Sequence, residues 1–128
     1  MGLDQSVTFP VGVRPSYPAL AELLARHSFP VQMRMIDGQL AFPDEAPPDD
    51  WRELRLATPQ GMVTVRREPG RLTCVTWGNA DASLLQAWNA VTWALAEATG
   101  GQVEAPSGAV SAAEFRMRAD LPPAMKST

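Results

Sequence analysis

The chain predicts an α+β fold: an antiparallel meander sheet of about five strands, with two or three helices packed on one face. Three observations carry that prediction. Tight turns at Asp37-Gly38, Pro59-Gln60 and Pro69-Gly70 punctuate residues 31 to 77. Apolar and polar residues alternate between those turns, as half-buried strands require. A long apolar-periodic segment from 81 to 99 then ends at Gly100-Gly101, the signature of a helix with a glycine stop.

Taken in order, Gln5 to Val13 reads as a first strand that Pro10 confines to an edge or breaks. Ser16 is a helix N-cap, with Leu20, Leu23, Leu24 and His27 at helical spacing and Pro30 beyond the end, which predicts a helix over about 17–27. Val31, Met33 and Met35 alternate with Gln32 and Arg34. Asp-Gly suits the two positive-φ positions of a type I′ turn, so the chain returns with Met35 opposite Leu40 and Met33 opposite Phe42. The Pro59-Gln60 loop sets Leu56 against Val63 and Leu54 against Val65, and on the other face Arg55 beside Thr64 and Glu53 beside Arg66. A type II turn at Pro69-Gly70 pairs Val65 with Cys74 and Arg66 with Thr73. Asp81 or Ser83 caps the long helix, whose stripe is Leu84, Trp88, Val91 and Leu95. A strand over 102–105, a Ser107-Gly108 turn and a capping box at Ser111 and Glu114 follow, opening a last helix to about Arg118. Residues 1–121 form one domain, and 122–128 read as a frayed tail.

Composition bounds the function. The 128 residues are 45% hydrophobic, enough for one core, and no apolar run approaches the ~18 residues of a membrane span. A net charge of −3 argues against a nucleic-acid binder. Met1 to Val13 lacks the basic start and apolar core of a signal peptide, and the single Cys74 cannot close an internal disulfide, so a cytoplasmic setting is expected. Arginine in place of lysine (Lys126 alone) and one isoleucine match a GC-rich bacterial genome.

Catalytic groupings are scarce. His27 has no histidine or metal-ligand companion, and Cys74 falls on the core face beside Val65 and Leu72 with no adjacent cation to activate it. The acidic loop Asp44, Glu45, Asp49, Asp50 lacks EF-hand spacing and its turn glycine, and reads as a solvated loop beside a sheet edge. No phosphate loop, dinucleotide fingerprint or hydrolase elbow occurs. No catalytic residue, metal or cofactor is expected.

Two surfaces remain. The sheet face opposite Leu54, Leu56, Val63 and Val65 carries Arg34, Arg55 and Arg66, with Met62 and Trp77 at one end. It is either an ordinary solvated face with a Glu53–Arg66 pair or a site for an acidic or planar ligand. On the long helix Trp93 lies opposite the apolar stripe, among Gln86, Asn89 and Glu97. It is either an interface anchor, in its sharpest form that of a helix-to-helix homodimer, or is covered by the segment from Val103 to Leu121.

The run Trp-Ala-Leu-Ala-Glu-Ala-Thr-Gly-Gly-Gln-Val-Glu-Ala-Pro-Ser-Gly, residues 93 to 108, resembles small bacterial α+β domains of the toxin-immunity type and related families. In those, a helix ends in Thr-Gly-Gly and a strand leads into Asp-Pro-x-Gly. Ala105 stands where the acidic residue usually sits, and the resemblance covers 16 of the 128 residues. It implies a non-enzymatic cytoplasmic protein that binds another protein, with the acidic loop facing a basic partner. The expected function is therefore a non-catalytic protein-binding module, with self-associating and immunity- or chaperone-like roles within that class. The alternative is a small-molecule (anion) binder or enzyme built on the arginine face.

Overall fold

The computed structural model describes residues 2–105 and 108–126, excluding the side chains of Ala105 and Lys126. Strand β1 (Gly2–Thr8) leads to helix α1 (Tyr17–Arg26). Strands β2 (Gln32–Ile36), β3 (Gln39–Leu40), β4 (Glu53–Thr58), β5 (Gly61–Glu68) and β6 (Arg71–Trp77) follow. Helix α2 (Ala82–Thr99), β7 (Gln102–Ala105), β8 (Gly108–Ser111), α3 (Ala112–Arg118) and α4 (Pro123–Lys126) complete the order. The fold is α+β with a fully antiparallel sheet, but the sheet has eight strands in the order β3-β2-β4-β5-β6-β1-β7-β8, not about five, and the described helices number four.

The local chemistry of the turns sets the central registers. Asp37 and Gly38 take φ of 51° and 83°, the type I′ pair. The Asp37 carboxylate then accepts from the backbone N–H groups of Arg52 (2.8 Å) and Glu53 (2.9 Å), so this turn also fixes the start of β4. Leu54 faces Val65, Leu56 faces Val63, Val65 faces Cys74 and Arg66 faces Thr73, as the turns require.

Of the two readings of Pro10, the break is the one observed: β1 ends at Thr8, so the missing N–H lies outside the ladder, and β1 sits between β6 and β7 rather than at an edge. Tertiary packing overrides three other expectations. In β2 the register shifts between Met33 and Met35, a bulge in which Arg34 is the extra residue. The bulge sends Met33 to the core and turns Met35 to the opposite face beside Arg55. β3 stops at Leu40, and Met33 donates to the Pro43 carbonyl rather than completing a strand pair with Phe42. Finally, residues 123–126 form α4 rather than a frayed tail, with Met125 fully buried and Leu121 beside the core. The Ser107-Gly108 turn lies partly outside the described residues. Gly108 itself opens β8, a strand the sequence did not announce.

One core cluster runs through these elements. Val7, Met33, Leu54, Leu56, Val63, Val65, Leu72, Cys74 and Val103 supply its sheet side. Leu20, Leu24, Ala87, Ala90, Val91, Trp93, Ala94, Leu95 and Phe115 supply its helical side. α2 lies across β5, β6, β1 and β7, with α1 and α3 packed beside it. Ser16 caps α1 at the Ala19 N–H, Asp81 caps α2 at the Leu84 N–H, and Ser111 caps α3 at the Glu114 N–H. With the helices gathered on one side, the other face of the sheet is left to solvent.

Candidate functional site: the open sheet face

Successive registers lay the side chains of this face in rows across the strands. Leu40, Met35, Arg55, Thr64, Val75 and Asp4 form one row. Glu53, Arg66, Thr73, Ser6 and Glu104 form the next. On the far side of the first row, Met62 pairs with Ala57 and Trp77 with Gly2. Beyond the second row, Arg71 lies between Glu68 and Thr8.

Arg55, Met62, Thr64, Arg66, Val75 and Trp77 line a shallow basin of about 280 Å³, with Gly2 and Thr76 at its margin. Trp77 is 62% exposed there, a large aromatic side chain with little cover. Arg66 Nε lies 3.4 Å from Glu53 Oε2 across the β4–β5 ladder; both side chains are solvated, and such a pair is worth ~0.2–1 kcal/mol. Arg55 makes no ion pair with the described residues. Arg34 does not join the basin. The bulge carries it to a separate hollow with Pro30, Gln32, Ala57, Thr58 and Pro59. The basin thus brings together Arg55, Arg66 and Trp77 from the expected set, and adds Val75, whose place on this face follows only from the β5–β6 register.

The second surface proposed from sequence is occupied from within the chain. Trp93 is only 3% exposed. The His27 ring at the end of α1 meets it edge-on, with centroids 5.0 Å apart and planes at 88°, and the Arg116 guanidinium of α3 lies 4.9 Å over it. Gln86 Nε2 donates to the Asp120 carboxylate at 3.3 Å, and Asn89 Nδ2 donates to the Asp120 carbonyl at 2.9 Å. Asn89 Oδ1 in turn accepts from Gln5 Nε2 at 3.0 Å. Of the two readings of this helix side, cover by the C-terminal segment is the one observed; Glu97 stays exposed.

His27 carries a pH consequence. Burial first, then the positive charges of Arg116 and Arg26, hold its pKa below the ordinary 6.5, with Glu97 opposing. The folded chain therefore binds fewer protons than the unfolded one as pH falls through about 6.5. Stability present above that pH should be lost progressively down to the depressed pKa, and should then level off. Urea unfolding between about pH 7.5 and pH 5 should show the slope in the wild type and its reduction in His27→Gln. An unchanged slope would place the titration elsewhere.

The remaining candidates lie away from the basin. Cys74 is fully buried, its thiol directed at the Trp88 carbonyl (3.8 Å) and its pKa pushed up to about 12 by desolvation. Asp44, Glu45, Asp49 and Asp50 are all exposed, and Glu45 Oε1 caps the Phe42 N–H at 3.1 Å. Among the described residues no group of three or more His, Cys, Asp or Glu is placed to hold a metal ion. Trp51, unremarked in the sequence, anchors the acidic loop: it is 3% exposed, lies under the Arg67 guanidinium at 4.7 Å, and Arg67 also donates to the Asp49 carbonyl at 2.9 Å. No helix among the described residues is long and apolar enough to cross a membrane.

These features define an α+β protein with an eight-stranded antiparallel sheet, helices on one side and a basic-aromatic basin on the other. No family model, curated protein or solved structure matches the chain.

Proposed function

We propose that this protein is a non-catalytic, cytoplasmic protein-binding module that works through the open sheet face. The observation that supports the reading is Trp77, 62% exposed at one end of a basin that Met62, Val75, Arg55 and Arg66 also line. Aromatic and arginine side chains in such a setting are the usual anchors of protein interfaces. Toxin-immunity or chaperone-like roles fall within this class, and the resemblance of residues 93 to 108 is their support. Met62 and Val75 give Trp77 apolar neighbours while Arg55 and Arg66 supply charge, the mixture of an interface core and its rim.

The test is site-directed photo-crosslinking in the native host. A photoreactive residue in place of Thr64 should yield protein adducts, whereas the same residue in place of Glu22 on the exposed side of α1 should not. The anion-binding alternative makes the opposite prediction. Under it, Thr64 gives no adduct, and an anion raises the Tm of the wild type but not of Arg55→Ala or Arg66→Ala.

A further inference from the structure

The charge layout of the open face identifies the partner, and this inference rests on the protein-binding reading. On this face Glu53 faces Arg66 and Glu68 faces Arg71, which leaves Arg55 on β4 and the carboxylates Asp4 on β1 and Glu104 on β7 without an opposite charge facing them among the described residues. A uniformly acidic partner would meet Asp4 and Glu104, and a uniformly basic one would meet Arg55. The complementary surface carries the same two signs in reversed order, which is what a two-fold axis produces from a second copy of the face.

We propose that two copies of this chain associate through their open sheet faces, about a two-fold axis parallel to the strands and passing between β5 and β6. This operation lays β4 over β1 of the second copy and β5 over its β6. The row positions then meet in pairs. Arg55 falls over Asp4 of the second copy, Thr64 over Val75, Arg66 over Thr73, Met62 over Trp77 and Glu68 over Arg71, and each pair occurs twice. Opposite charges coincide at Arg55–Asp4 and Glu68–Arg71, and apolar side chains at Met62–Trp77, without any shift of register. Sheets packed face to face keep their strands roughly aligned at a spacing of about 10 Å, the geometry this axis gives. Within one chain Arg55 and Asp4 stand three strands apart, about 14 Å across the sheet. Their pairing is therefore available only between copies.

The experiment is mass in solution by light scattering over a concentration series, for the wild type, Arg55→Asp, Asp4→Arg and an equimolar mixture of the two variants. Both positions are exposed, so the variants should keep the wild-type circular dichroism. The wild type should reach twice 13.8 kDa, and each variant alone should weaken association on the order of a hundredfold, since each sets like charges across the axis twice. The mixture should dimerise again, because every contact between unlike variants is then acid to base. A wild type that stays monomeric, single variants that still dimerise, or a mixture of folded variants that stays monomeric would each overturn the dimer. If that occurs while Thr64 still crosslinks to other proteins, the protein-binding reading survives. If Thr64 crosslinks to nothing, both fall.

Discussion

Trp93→Ala should destabilise the protein by about 3–5 kcal/mol, the usual cost of deleting a buried tryptophan, and should leave the proposed sheet-face dimer intact in the molecules that remain folded. The side chain is held from three directions: α2 itself, His27 at the end of α1, and Arg116 on α3. Its removal opens a space between three helices that meet through it, and no single helix can collapse into that space without leaving the others. Arg116→Met keeps much of the packing but loses both the ring contact and the hydrogen bond from Arg116 Nη2 to the Met125 carbonyl (3.0 Å), so it should cost about 1–3 kcal/mol, still less than the alanine variant. Urea unfolding at neutral pH measures both. If the alanine variant unfolds at the wild-type midpoint while losing dimer mass, Trp93 is an interface residue and not part of the core between the three helices.

The reason sequence left Trp93 undecided is physical. Helical periodicity separates a core side from a solvent side only when a helix is covered on one side. α2 is covered on two, by the sheet and by α1 and α3, and its buried set of Ala87, Ala90, Val91, Trp93, Ala94, Leu95 and Ala96 wraps around the axis. The polar residues beside Trp93 point the wrong way for a related reason, since Gln86 and Asn89 are half-buried and hold Asp120 of the same chain. The central hairpins were legible because two-residue turns fix register locally, and register decides which side chains share a face. That made most of the basin readable before any coordinates. The place of β1 between β6 and β7 was not readable, because those pairings join residues far apart in sequence and no local motif specifies them. Asp4, the residue on which the proposed dimer turns, enters the face only through that pairing. The bulge at Arg34 was hidden too: Met33 and Met35 keep a perfect alternation, and only the offset against β4 separates them.

Gly101→Ala should be the most damaging of the glycine substitutions at the end of α2, costing at least the ~1–3 kcal/mol typical of overpacking. The Gly100-Gly101 pair reads in sequence as one helix stop, yet the two residues serve different constraints. Gly100 takes φ of 67° as the left-handed cap, and its N–H reaches the carbonyls of Ala96 and Glu97. A side chain there meets nothing within 4 Å, so Gly100→Ala carries only the conformational cost of about 1–2 kcal/mol. Gly101 has no such φ. A β-carbon there would run into the carbonyl oxygen of Thr8, the last residue of β1, with the Thr99 hydroxyl 3.0 Å away on another side. Neither obstacle is a flexible side-chain end. Thr8 is held in register with both Arg71 and Gln102, so relief requires β7 to move off β1, and β8 with it. Hydrogen exchange should therefore show faster opening at Val103 and Val110 in Gly101→Ala than in Gly100→Ala, while the β4–β5 hairpin stays protected in both. Equal protection at β7 in the two variants would mean that the close approach of Gly101 to Thr8 does not govern how the last two strands join the sheet.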